Sequence, residues 1–184
     1  MPDWYVQRYN GLVMKKFFIK KTIALFICLT AAAICFADPV EGFWLSVDDR
    51  TNQITAGWQI YQEGGRLYGK ILSVSTEPRG VLAGRCRDSY PGFPVSGRVS
   101  AMPVAGTPWI FGLTRDREGV WSGGNVINPE DGNFYRCRII HHPADDRRYN
   151  VETLEMRGEI GLGIGRSQFW RRADEATAAN LWPN

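Results

Sequence analysis

The sequence is short of lysine, histidine and cysteine, and each shortage removes a class of function. Beyond residue 37 the only lysine is Lys70, and the whole chain has two histidines and four cysteines. The formal net charge of +3 is concentrated in the first 37 residues, where Arg8, Lys15, Lys16, Lys20 and Lys21 face a single acid, Asp3. The remaining residues carry 17 basic and 18 acidic groups, a net of −1. A nucleic-acid binder needs a basic stripe to displace condensed counterions, and residues 38–184 provide none. His141 and His142 are adjacent, so on a strand they point to opposite faces and cannot share one metal ion; the expected metal and cofactor content is none. No H-E-x-x-H, G-x-S-x-G or S-x-x-K spacing occurs, so no enzymatic activity is expected. Parallel crossover units are absent too, which excludes a Rossmann-type sheet.

What is present starts at the N-terminus. From Met14 the chain has two lysine pairs, then an uncharged run of fourteen residues from Ile23 to Phe36, then Cys35-Phe36-Ala37 with small residues at positions −3 and −1 of a cleavage site. This is the pattern of a secretory signal peptide, preceded by an upstream extension over Met1 to Val13. The apolar run falls short of the roughly 20 residues of a membrane span, although an uncleaved anchor is the alternative. Cleavage after Ala37 is expected to leave residues 38–184 in the periplasm, with no stable membrane span. The mature chain then keeps Cys86 and Cys137, and two cysteines in an exported domain are expected to pair. Such a bond would contribute about 4 kcal/mol in the chain-entropy picture; two separate buried thiols are the alternative.

With 20 Gly, 10 Pro and 7 Trp in 184 residues, the mature chain reads as short strands joined by turns. Ile54, Ala56, Trp58 and Ile60 alternate with Thr55, Gly57 and Gln59 in period two, and Glu63-Gly64-Gly65 is a hairpin turn. A looser stretch from Ser75 to Pro108 holds at most one strand, around Val95 to Val99. Strands follow over residues 109–113, 120–127, 134–141, 149–156 and 166–172. Residues 173–181 read as a short helix. Eight or nine strands joined mostly by hairpins predict an all-β fold, a small antiparallel up-and-down barrel or a sandwich, over residues 38–172 with a helical tail over 173–184.

The last segment bears the candidate site. If residues 160–172 form one strand, Ile160, Leu162, Ile164, Arg166, Gln168, Trp170 and Arg172 share a face. A face passing from aliphatic to Arg, Gln and Trp suits the lining of a small barrel, with Arg166 and Gln168 holding an anionic head group and Trp170 an apolar wall. The competing role for Arg166 is an ion pair with a strand-end carboxylate, and for Trp170 ordinary core, since small barrels fill their interiors with side chains. Arg157 is expected in a structural ion pair. Arg136 and Arg138 flank Cys137 on the face away from Tyr135, Cys137 and Ile139 and are expected in solvent. The paired glycines of Trp121-Ser122-Gly123-Gly124 mark a bulged or closely approached strand.

Several of these residues together resemble a known family. Asp38-Pro39-Val40-Glu41-Gly42-Phe43-Trp44, Trp121-Ser122-Gly123-Gly124, Asn128 through Gly132, Tyr135-Arg136-Cys137, Leu154 through Gly158, and Gly165-Arg166 through Trp170-Arg171-Arg172 resemble, in order and spacing, the bacterial exported proteins of domain-of-unknown-function family 2147. The resemblance spans residues 38–172 and implies compartment and architecture rather than a reaction. Gly42-Phe43-Trp44 is also similar to the G-x-W that opens lipocalin-type barrels. That likeness implies a structural role for Trp44, with Arg171 or Arg172 of the last strand laid across its ring.

The leading expectation is therefore a periplasmic binding module holding a small apolar, lipid-like or anionic amphipathic ligand inside a lipocalin-like barrel. The alternative is a cell-envelope interaction or assembly protein with a packed interior, acting through its surface. An outer-membrane barrel fits poorly, because the strands are short and charged on both faces.

Overall fold

A computed structural model describes residues 37–144, 147–161 and 164–183. All of the expected leader over residues 1–37 except Ala37, together with the Asp145-Asp146 pair, Leu162, Gly163 and Asn184, lies outside the described residues. Eight strands run in chain order: β1 Gly42–Val47, β2 Ile54–Glu63, β3 Arg66–Val74, β4 Pro108–Arg117, β5 Val120–Ile127, β6 Phe134–His142, β7 Thr153–Gly161 and β8 Ile164–Ala173. Each pairs antiparallel with the next, and β8 returns to β1, closing an up-and-down barrel without a free edge. A short helix, α1 (Glu175–Ala179), follows β8, with Asp174 capping it by accepting a hydrogen bond from the Thr177 amide.

The turns carry the chemistry that closes the hairpins. Glu63 pairs with Arg66 across Gly64 and Gly65, both at positive φ, the conformation a two-residue hairpin demands. At the β1–β2 turn the Asp48 carboxylate accepts the amides of Arg50 and Thr51 at 2.9 Å each, and those two bonds hold its pKa below the ordinary value.

One half of the barrel is solid. Trp44, Ile60, Leu67, Ile110, Leu113, Trp121, Ile139, Leu154 and Trp170 are all essentially inaccessible and fill the interior at the end where the chain enters. Gly124 lets β4 and β5 approach, since a Cβ there would collide with the backbone of Phe111 and Leu113; the register shifts across the same Trp121–Gly124 stretch. Both features expected of the paired glycines are present. The entering segment closes this end. The Asp38 side chain is 2% exposed and accepts from Arg115 Nε at 2.9 Å and from the Gly119 amide at 3.2 Å. Trp44 Nε1 donates to the Val40 carbonyl at 2.9 Å.

Outside the wall, the long β3–β4 connection packs Phe93 against Trp109 and Phe111, while Tyr90 and Phe134 meet beside them. Residues 95–99 are not a strand: Val99–Ala101 is a single 3-10 turn. Gly97 at φ 114° breaks the extended run, and the Val99 amide is taken by the Asp88 carbonyl rather than by a neighbouring strand.

Helix α1 lies over the outer face of β1, β2 and β3. Ser73 Oγ donates to the Ala178 carbonyl at 2.6 Å and accepts the Leu181 amide at 3.1 Å. Gly57 makes this possible, since a Cβ there would overlap the same carbonyl. The helix is shorter than the residues 173–181 expected, because β8 extends through Ala173 and the capped turn ends at Asn180.

Candidate functional site

The other half of the barrel is hollow. A cavity of about 1030 Å³ opens at the end formed by the β1–β2, β3–β4, β5–β6 and β7–β8 connections. Its floor is a pair of tryptophans: Trp58 on β2 lines the cavity, and Trp170 on β8 stacks against it with ring centroids 4.8 Å apart. The indole nitrogens are satisfied, Trp58 Nε1 donating to Ser46 Oγ and Trp170 Nε1 to Gln168 Oε1, each at 3.3 Å. Above the floor the walls carry Ile71, Val104, Val126, Tyr135 and Met156, with Gln168 the polar side chain nearest the tryptophans on β8. Gly158 leaves room on the wall: it pairs with Arg166, and a Cβ there would make ordinary contacts at 3.5 Å to Tyr135. Two exposed isoleucines, Ile160 and Ile164, stand at the lip, 70% and 63% exposed.

Of the candidate residues, Arg166 and Gln168 both line this cavity, whereas Trp170 supports the floor from the solid half. The strand expected over 166–172 lies within β8, but it does not continue back to 160: residues 160–172 form a hairpin, with Gly161 opposite Ile164. Ile160 and Ile164 therefore reach one mouth from two strands. The strand expected to begin at Tyr149 begins at Thr153; Tyr149 stays in the connection, its ring 4.2 Å from that of His142.

The charges are arranged differently from a waiting anion clamp. Arg166 Nη2 and Nε lie 3.0 and 3.3 Å from Asp49 Oδ2, so its guanidinium is engaged by a strand-end carboxylate. Arg157 pairs with Glu159 at 2.7 Å, and Arg136 and Arg138 are exposed.

At the closed end, the Arg172 guanidinium lies 4.5 Å from the Trp44 ring centre and donates to the Glu41 carbonyl at 2.7 Å. Arg171, on the opposite face, reaches Asn52 instead. His141 and His142 bond separate partners, Glu152 at 2.9 Å and Glu155 at 3.0 Å. Burial raises the Glu155 pKa, but hydrogen bonds from Ser167 and His142 and the nearby His142 and Arg148 charges outweigh it and leave the value below normal. Among the described residues, no three His, Cys, Asp or Glu side chains come together as a metal site.

The expected Cys86–Cys137 bond is not present: both thiols are free and buried. Alternation along β6 places Cys137 inward with Tyr135 and Ile139, the opposite face from Phe134. Cys86 lies in the β3–β4 connection near Tyr90, whose ring meets Phe134. The sheet therefore separates the two sulfurs, and a disulfide needs Cα atoms within about 7 Å and converging side chains. Burial pushes both thiol pKa values up, Cys137 far more strongly.

Sequence reasoning missed Trp58, Tyr135, Met156 and Gly158 as cavity residues. The period-two patterns of β2 and β6 mark Trp58 and Tyr135 as inward, but only barrel closure shows that they face open space rather than packed side chains.

Closed antiparallel topology, a G-x-W tryptophan crossed by a last-strand arginine, and an interior open at one end define a lipocalin-type barrel. The chain belongs to the family described as uncharacterized protein conserved in bacteria (DUF2147), which matches residues 42–172. Among solved structures it is similar to protein HP1028 from the human pathogen Helicobacter pylori, which belongs to the lipocalin family. The TM-score is 0.59 at 14% identity, with 77% of this chain and 88% of that chain covered. At that identity the likeness shows a shared fold. No curated protein matches the sequence. Among the described residues no helix is long and apolar enough to cross a membrane.

Proposed function

We propose that this protein is a periplasmic binding module, not an enzyme, that takes a small apolar or amphipathic ligand into the open half of its barrel. The observation that carries this reading is the cavity of about 1030 Å³ above the Trp58–Trp170 floor. Its volume reaches the top of the usual range of small-molecule sites, and its lining joins apolar walls to polar and charged side chains near the mouth. A barrel acting only through its surface would have no need of that space, because small barrels ordinarily fill it with side chains. The signal-peptide pattern ahead of Asp38 supports the compartment.

The test uses the neutral fluorescent probe N-phenyl-1-naphthylamine with purified protein. Saturable binding is expected, with quenching of Trp58 emission. Gly158→Trp should abolish it by filling the wall position that glycine leaves open, while the far-ultraviolet spectrum and melting temperature stay near the parent's. Absence of probe binding to the parent, or undiminished binding to a folded Gly158→Trp variant, would refute the reading.

A further inference from the structure

The charges around the mouth specify the ligand further than its apolar character does, given that the cavity is a binding site as proposed above. Four acidic side chains line the cavity, Asp48, Glu77, Glu130 and Asp131, against two basic ones, Arg85 and Arg166. Arg166 is neutralised by Asp49 at 3.0 Å, and Asp48 has Arg50 at 4.0 Å. With these two pairs set aside, Glu77, Glu130 and Asp131 stand against Arg85 alone, which donates to the Glu130 carbonyl. The carboxylates of Glu77 and Glu130 have no ion-pair partner among the described residues. An anionic head group entering here would meet net negative charge and find Arg166, the β8 arginine that lines the cavity, already engaged. A cation would meet the opposite field, and below it the aromatic lining residues Trp58 and Tyr135, a residue type whose ring quadrupole attracts cations.

The cavity's shape restricts the ligand as well. From Gln168 beside the floor to Ile164 at the lip is four residues of β8, about 13 Å along the strand at the usual rise and about 10 Å along a barrel axis at ordinary tilt. A volume of about 1030 Å³ over so short a depth makes the space broad rather than tubular. We propose that the cavity takes a compact, ring-bearing ligand with a cationic polar group, its ring against Trp58 and its charge near Glu77 and Glu130.

The experiment displaces bound N-phenyl-1-naphthylamine with a matched pair that shares one ring system and differs in charge: 1-naphthylmethylammonium and 1-naphthylacetate. At low ionic strength the cation is expected to compete about tenfold better, from two net charges acting over several ångströms of screened solvent. That ratio should shrink as salt is raised. Glu77→Gln combined with Glu130→Gln should bring it to about twofold or less, the field being the cause. Equal competition by the two naphthalenes, or better competition by the anion, would overturn the charge assignment while leaving the binding module standing. Failure of N-phenyl-1-naphthylamine itself to bind would remove both.

Discussion

Gly57→Ala tests the packing that seats the C-terminal helix on the barrel. Gly57 is at ordinary negative φ, so alanine strains no backbone there; the new methyl instead overlaps the Ala178 carbonyl. The helix must lift, which breaks the Ser73–Ala178 and Ser73–Leu181 hydrogen bonds. Each is worth about 1 kcal/mol net. Lifting also uncovers apolar area on Leu45, Val47 and Ala178; roughly 100 Å² of it would add about 2.5 kcal/mol. The freed tail recovers conformational entropy that offsets part of this sum. The tail can detach, so the penalty cannot exceed its own docking free energy, and the net loss should be about 1–3 kcal/mol. Urea unfolding followed by tryptophan fluorescence measures it, and hydrogen exchange of residues 175–181 should rise towards the unprotected rate in the variant. In a chain ending at Ala173 the same substitution should cost nothing, or stabilise by up to about 1 kcal/mol, as alanine does in place of glycine at a permissive site. An equal loss in both backgrounds, with helix exchange unchanged, would refute the steric account.

Other substitutions probe the closed end and the buried ionisable groups. Arg172→Lys keeps the charge but loses the planar stack on Trp44 and the geometry of the bond to Glu41, and should destabilise by about 1–2 kcal/mol in urea melts; no change would deny the stack a structural role. Glu155 has a lowered pKa in the fold, so its contribution is fully present above its unfolded value near 4.5 and is lost as pH falls through the lower folded value. The stability difference between the parent and Glu155→Gln should accordingly shrink below about pH 4.5, and a difference constant from pH 7 to pH 3 would contradict that sign. Iodoacetamide should leave Cys137 unmodified in the folded protein and label both thiols in urea. An intact mass two hydrogens lighter than the reduced chain would instead restore the Cys86–Cys137 bond.

Much of the wall was legible in the sequence, and the hollow was not. Period-two alternation over Ile54–Ile60 and the glycines after Glu63 place the first hairpin because those signals are local. Trp44 and an arginine of the last strand were legible as a pair from the G-x-W likeness, but the choice of Arg172 over Arg171 depends on register across the β1–β8 closure. Residues 160–172 show the limit most clearly. Alternation continues unbroken through the hairpin because the register shifts between Glu159 and Gly161, so that even-numbered residues of both strands, such as Gly158 and Arg166, stay on one face. Asp49, the partner that engages Arg166, is 117 residues away in sequence, and no local pattern announces such a pairing. Likewise the opposite-face placement of Cys86 and Cys137 follows from how the long β3–β4 connection wraps the outside of the barrel.

The closure between β1 and β8 is the barrel's shortest joint. Backbone pairing runs only through Phe43, Trp44 and Leu45 against Ala173, Arg172 and Arg171, whereas β7 and β8 are paired along almost their whole length. Nearer the mouth, side chains of β8 bond to the β1–β2 turn, Arg166 to Asp49 and Arg171 to Asn52. Exposed bridges of this kind are weak and weaken further in salt. The molecule is thus a cup with one thin seam: its base is packed with tryptophans, and along the seam its rim is held by exposed side-chain bonds. A guest's residence time would then depend on that seam, and ionic strength would change how fast the cup empties more than how stably it is folded.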